Sequence, residues 1–410
     1  MGKLNIFAIS FANTAGVFYA GTMVQGHVTI ELTEPMKMRG VRLNFEGKAY
    51  VHWTERHSSG SGKNRRTTTR HYSATEKYFD QDVLLHGIWP SQGSSTSELP
   101  QGRHTFPFQL QLPPNLPSSF EGDHGHVRYV VSCKIDKPWK FDHKTKRPFT
   151  IISVLDLNSQ PAYSQRLQGT NEKNLCCLCC KSGPISASFH LDRQGYVPGE
   201  AIRLSAEISN GANRRMDKSY VELRMIVTFH ATSKSRTVTK PVAMLTRPAI
   251  PGHSEDVWSG EEMVIPPLPP SFLVGCSIID IRYIIDRNNT GTSPQLNVDP
   301  SGPALDLEIP LEIVIGTIPL MSVVQQYPPS PPVGFNESSL WPTAPPMQGG
   351  ASAPPPNMPP PSYNECITGR VDVRGEDDEH TRGEMSFAPA YTYYNWGRTP
   401  GALPPPLPEK

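Results

Sequence analysis

Val41, Leu43, Phe45, Ala49, Val51 and Trp53 fall on one parity, with mostly polar residues between them. A period of two sends successive side chains to opposite faces, so it predicts a half-buried strand and excludes a helical stripe. The same beat returns at Val127, Tyr129, Val131, Cys133 and Ile135, and at Val221, Leu223, Met225, Val227 and Phe229. It returns again from Leu305 through Leu307, Ile309, Leu311, Ile313 and Ile315. Glycine and proline punctuate these runs at short intervals, and no capped amphipathic helix interrupts them. The pattern predicts an all-β body.

That body reads as one plan written twice, because unusual clusters recur in order. Tyr19-Ala20-Gly21 is echoed by Tyr196-Val197-Pro198-Gly199. Leu116-Pro117-Ser118-Ser119-Phe120, followed by Arg128-Tyr129, is echoed by Leu268-Pro269-Pro270-Ser271-Phe272, followed by Arg282-Tyr283. Pro148-Phe149-Thr150-Ile151-Ile152 has its partner in Pro310-Leu311-Glu312-Ile313-Val314. Each half is about 150 residues long, enough to bury one core between two packed sheets. The junction is expected between Asn158 and Ser182, where strand periodicity lapses.

These residues resemble a known family, the arrestin-domain-containing proteins or α-arrestins. The resemblance rests on Phe106-Pro107-Phe108, Leu116-Pro117-Ser118-Ser119-Phe120-Glu121-Gly122, Val127-Arg128-Tyr129, Ser182-Gly183-Pro184-Ile185, Gly195-Tyr196-Val197-Pro198-Gly199-Glu200 and Ile315-Gly316-Thr317-Ile318-Pro319-Leu320. It implies an all-β chain of two tandem immunoglobulin-like β-sandwiches. The arrestin-like N-terminal domain is expected over 4–157, a linker with a cysteine cluster over 158–181, the C-terminal domain over 182–320, and a disordered proline-rich tail over 321–410.

Composition agrees about the tail: 19 of the 43 prolines follow Leu320, and only 37% of the 410 residues are apolar. Within it, Pro360-Pro361-Ser362-Tyr363 has the form of a WW-domain ligand. Adjacent prolines pre-set the polyproline conformation that lies in an aromatic groove, and the tyrosine fills a neighbouring pocket. By resemblance, its partners are the WW domains of HECT-type ubiquitin ligases. Pro342-Thr343-Ala344-Pro345 is a candidate for binding the endosomal sorting complex, and in so proline-rich a segment it is equally explained by chance. Pro389-Ala390-Tyr391 has one proline too few for a second WW ligand.

The net charge of +1 spreads its basic excess thinly over the first half, which argues against nucleic acid as a partner. Lys63, Arg65, Arg66 and Arg70 lie in a Ser/Gly/Thr-rich stretch expected to be an exposed hairpin loop, either solvated or in contact with anionic lipid or an acidic partner. Cys176, Cys177, Cys179 and Cys180 lack a second C-x2-C pair to complete a zinc tetrahedron, which leaves linker packing or reversible acylation. His124 and His126 flank Gly125 in an expected turn and read as surface residues. No signal peptide or membrane span is evident, and an odd number of cysteines suits a reducing compartment. The expected location is therefore cytoplasmic, with peripheral recruitment to plasma membrane and endosomes.

No nucleophile elbow, phosphate-cradling loop or metalloprotease helix is found, so neither catalytic residue, metal nor cofactor is assigned. The leading expectation is an adaptor linking membrane cargo, a receptor or transporter, to a ligase for ubiquitylation, endocytosis and endosomal sorting. A signalling or metabolic scaffold without ubiquitin coupling is the first rival, and a β-sandwich enzyme the second.

Overall fold

The computed structural model describes residues 3–59, 66–89, 91, 96–138, 141–177, 180–285, 296–300, 307–329, 362–374 and 381–396. The first domain runs through β1 (Leu4–Phe11), β2 (Val17–Tyr19), β3 (Met23–Leu32), β4 (Met36–Met38), β5 (Gly40–Ser59), β6 (Arg66–Gly87), β7 (Ser97–Leu99), β8 (Gly102–Gln111), β9 (Phe120–Gly122), β10 (Gly125–Asp136) and β11 (His143–Ile152). Sheet β1-β3-β8 faces sheet β2-β11-β10-β5-β6. The predicted alternation is realised along β10, where Val127, Tyr129, Val131, Cys133 and Ile135 are all buried and the residues between them are not.

The second domain follows through β12 (Leu167–Cys177), β13 (Cys180–Leu191), β14 (Gly195–Tyr196), β15 (Ala201–Asn210), β16 (Met216–His230), β17 (Ser235–Arg247), β18 (Ser254–Val264), β19 (Ile279–Ile285), β20 (Leu296–Pro300), β21 (Leu307–Ile309) and β22 (Leu311–Ile315). Sheet β12-β13-β15-β18 packs on β14-β22-β19-β16-β20-β21, with β17 along β16. Two local expectations change here. The stretch read as a linker is largely strand, because β12 pairs with β13 from Leu167↔Leu191 to Cys177↔Cys180. Its many polar residues hid the alternation. The apolar run from Leu305 is broken at Pro310, which has no N–H to donate, so β21 joins β20 while β22 joins β19.

The duplicated clusters occupy equivalent places. Tyr129 donates its hydroxyl to Pro117 O at 2.7 Å, and Tyr283 donates to Pro269 O at 2.7 Å. Ser119 Oγ accepts the Ile151 N–H, and Ser271 Oγ accepts the Ile315 N–H, each at 2.9 Å. In both halves a short strand pairs in parallel with the last strand, β2 with β11 and β14 with β22.

Beyond Leu320 a single turn of helix, α1 (Met321–Gln326), has no side-chain cap. The proline-rich residues 330–361, where disorder is expected, lie outside the described residues. Farther on, where the sequence reading placed only disordered tail, the chain forms β23 (Ser362–Glu365), β24 (Val371–Asp372), β25 (Arg382–Gly383), β26 (Ser386–Phe387) and β27 (Ala390–Tyr393). Phe387, Tyr391 and Tyr394 are buried, and they supply the apolar surface that proline-rich composition obscured.

Candidate functional site

Tyr363 is the residue on which the WW reading turns, and it lies against the body. β23 pairs antiparallel with β27, setting Tyr363 opposite Thr392 and Asn364 opposite Tyr391. The ring is half-buried, and its phenol is electrostatically coupled to that of Tyr19 at the end of β2. Burial pushes both phenols above the usual tyrosine range, so neither ionises near neutral pH.

The hairpin of β23 and β27 grips both domains. Tyr391 is 2% exposed and donates its hydroxyl to Ser119 O at 2.7 Å, while the Ala390 N–H donates to Thr150 Oγ1 at 3.2 Å. Tyr394 donates its hydroxyl to Thr317 O at 2.8 Å and its N–H to Pro198 O at 3.0 Å. Gly199, with φ +93°, leaves room for this approach: a Cβ there would sit 2.0 Å from Tyr394 O. Ser119, Thr150, Pro198, Gly199 and Thr317 all belong to the clusters on which the family resemblance rests or that recur in both halves. Each buried aromatic ring contributes on the order of 1.5–3 kcal/mol. Ordering the backbone costs about 1–2 kcal/mol per residue, so the net hold is a small difference between large terms.

A second stretch of tail extends the first domain's sheet. β25 pairs in parallel with β11, Thr145 opposite Arg382 and Lys146 opposite Gly383. Lys146 Nζ donates to Val373 O at 2.5 Å and Arg374 O at 2.8 Å, and the Glu384 N–H donates to Lys146 O at 3.0 Å. Of the three basic residues of β11, Lys144, Lys146 and Arg147, Lys146 is thus engaged by the tail.

The seam between the domains is lined by His124 and Phe120 on one side and Phe229 on the other, with ring centroids 5.7 and 6.5 Å from Phe229. Lys234 Nζ meets Glu55 at 2.7 Å and Lys240 Nζ meets Asp123 at 2.6 Å. Both histidines are half-buried rather than at the surface: His124 lies in the turn between β9 and β10, as its spacing suggested, while His126 is on β10. Burial, with Arg128 and Lys48 nearby, lowers the His126 pKa to about 3; burial and Arg236 lower His124 as well.

Other sequence candidates are not brought to one place. Pro342, Thr343, Ala344, Pro345, Pro360, Pro361, Lys63, Arg65 and Cys179 lie outside the described residues. Arg66 and Arg70 are exposed on β6, at the far end of its long hairpin with β5. Cys176 and Cys177 end β12, and Cys180 opens β13. Among the described residues no group of three or more His, Cys, Asp or Glu is set to hold a metal ion, and no helix is long and apolar enough to cross a membrane. Sequence reasoning missed the tail's grip. Its signal was the aromatic density of Tyr391, Tyr393, Tyr394 and Trp396, unusual for a chain that stays unfolded.

Comparison with known proteins agrees with this architecture. Residues 7–158 match the arrestin (or S-antigen) N-terminal domain, and residues 181–320 match the arrestin (or S-antigen) C-terminal domain. The chain is 28% identical to arrestin domain-containing protein 17 of Caenorhabditis elegans, over 96% of its own length and all of that protein. It is 32% identical to arrestin domain-containing protein 4 of Mus musculus, over 78% of its own length and 73% of the mouse protein. The human protein of the same name is 33% identical over 74% of this chain and 69% of its own.

Proposed function

The chain belongs to the arrestin-domain-containing, or α-arrestin, family, and from that premise we propose that it is a non-enzymatic adaptor joining membrane cargo to a WW-bearing HECT-type ubiquitin ligase. The two sandwiches grip the cargo, a receptor or transporter, and Pro360, Pro361 and Tyr363 recruit the ligase. Cargo ubiquitylation, internalisation and endosomal sorting follow, with the protein moving from cytoplasm to plasma membrane and endosomes. The observation that carries this reading is a complete PPxY string behind an arrestin body. Pro342-Thr343-Ala344-Pro345 lies about twenty residues upstream, close enough for one tail to hold a ligase and a sorting complex together. Lys63, Arg65, Arg66 and Arg70 are the candidate contact with anionic lipid or an acidic partner, and Cys176, Cys177, Cys179 and Cys180 the candidate acylation sites.

Lysine placement constrains where ubiquitin goes. Between Lys240 and Lys410 the sequence has none, so a ligase at Tyr363 finds its acceptors on the first domain, at the start of the second, or on cargo. In cells expressing the ligase, Tyr363→Ala is expected to abolish ubiquitylation of chain and cargo, whereas Lys410→Arg leaves it nearly unchanged. The pairing of Tyr363 in β23 and its partial burial favour a rival, a scaffold in which that tyrosine is only a structural anchor. In that case Tyr363→Ala leaves ligase association intact.

A further inference from the structure

We propose that the surface formed by Tyr19, Ser119, Thr150, Gly199 and Thr317 is a docking site for this chain's own tail, and that tail docking and ligase docking are mutually exclusive uses of Tyr363. The inference rests on reading Pro360-Pro361-Ser362-Tyr363 as a WW ligand. A WW domain takes its peptide in a polyproline conformation with the tyrosine ring in a pocket of its own. Here the Tyr363 backbone is paired in β23 opposite Thr392, and its side chain is half-buried against the body. One ring cannot occupy both places.

The surface is built for this occupant. Tyr391 and Tyr394 each deliver a hydroxyl to a backbone carbonyl, one on the first domain and one at the end of the second. These are directional bonds from two fully seated rings, which apolar collapse alone would not produce. The Gly199 position admits the Tyr394 backbone where any Cβ would exclude it. Because Tyr391 sits opposite Asn364 across the hairpin, its seating holds Tyr363 in the same step. The hairpin therefore couples ligase access to the seam between the domains.

Apparent affinity scales with the fraction of molecules whose site is free, so a tail docked nine-tenths of the time weakens ligase binding about ten-fold. The test titrates one recombinant WW domain of a HECT-type ligase into the full-length chain, into Tyr391→Ala and into Thr392→Pro, by calorimetry. Tyr391→Ala removes the ring and its bond to Ser119. Thr392→Pro removes a backbone donor from β27 and obstructs its pairing with β23. Both leave the sequence from Pro360 to Tyr363 intact and change nothing in either sandwich. Both variants are expected to bind about ten-fold tighter than the unmodified chain or better. Equal affinity for all three overturns the exclusion while leaving ligase docking in place. Absence of binding to all three overturns the WW reading itself, and the exclusion with it.

Discussion

The imidazole of His126 ties the first domain's stability to pH. His126 lies on β10 opposite Tyr50 of β5 and Glu121 of β9, with Arg128 and Lys48 close enough to oppose a third positive charge. Its folded pKa of about 3 lies below the ordinary 6.5, so the unfolded chain takes up a proton that the folded one refuses. Stability is full above pH 6.5 and falls toward pH 3, by at most about 1.4 kcal/mol per pH unit. Chemical denaturation at pH 7 and pH 5 should therefore show a loss of about 1–2 kcal/mol that His126→Gln largely removes. His124 adds a smaller dependence of the same sign. If His126→Gln keeps the full pH dependence, the imidazole is not the group that titrates. The spacing of His124 and His126 about Gly125 suggested a surface turn, and nothing local to it signalled the second domain's Phe229 closing over the site.

At the scale of elements, the sequence displayed strands wherever one face is buried and the other is wet. β5, β10 and β16 follow their predicted parity residue by residue. It was silent where alternation is masked by polar residues, as in β12, and where proline cuts a run in two, as between β21 and β22. At 362–374 and 381–396 proline content hid a cluster of aromatics, Phe387, Tyr391 and Tyr394, that seats on an existing surface. The repeated plan makes a sharper prediction. Tyr129 and Tyr283 each pin the proline-rich crossover of their own domain through one buried hydroxyl. Tyr129→Phe and Tyr283→Phe each orphan a buried carbonyl and should each cost about 1–3 kcal/mol in denaturant unfolding. A loss at one position without a comparable loss at the other would show that the two halves do not share this support.

The whole molecule is two sandwiches closed on a continuous apolar core, with charged pairs at the rim of the seam and a tail hairpin across it. Surface ion pairs such as Lys234 with Glu55 are worth about 0–1 kcal/mol. The hold between the halves therefore falls to apolar packing such as Phe120 on Phe229 and Leu157 on Ile318, to part-buried bonds such as Leu155 N–H to Thr317 Oγ1, and to the seated tyrosines of the tail. Motif recognition singled out the PPxY string, because so short a string is read without tertiary context. The seat that holds it was not legible, because its acceptors are backbone carbonyls and a glycine drawn from clusters scattered over some two hundred residues. Hydrogen exchange of the full-length chain, followed by mass spectrometry with and without a saturating WW domain, tests the arrangement most directly. Amides of β23, β27 and Tyr394 are expected to be protected in the free chain and to exchange rapidly once the WW domain is bound, while β10 and β16 stay protected throughout. Rapid exchange of the tail in the free chain, or protection that persists in the complex, would contradict it.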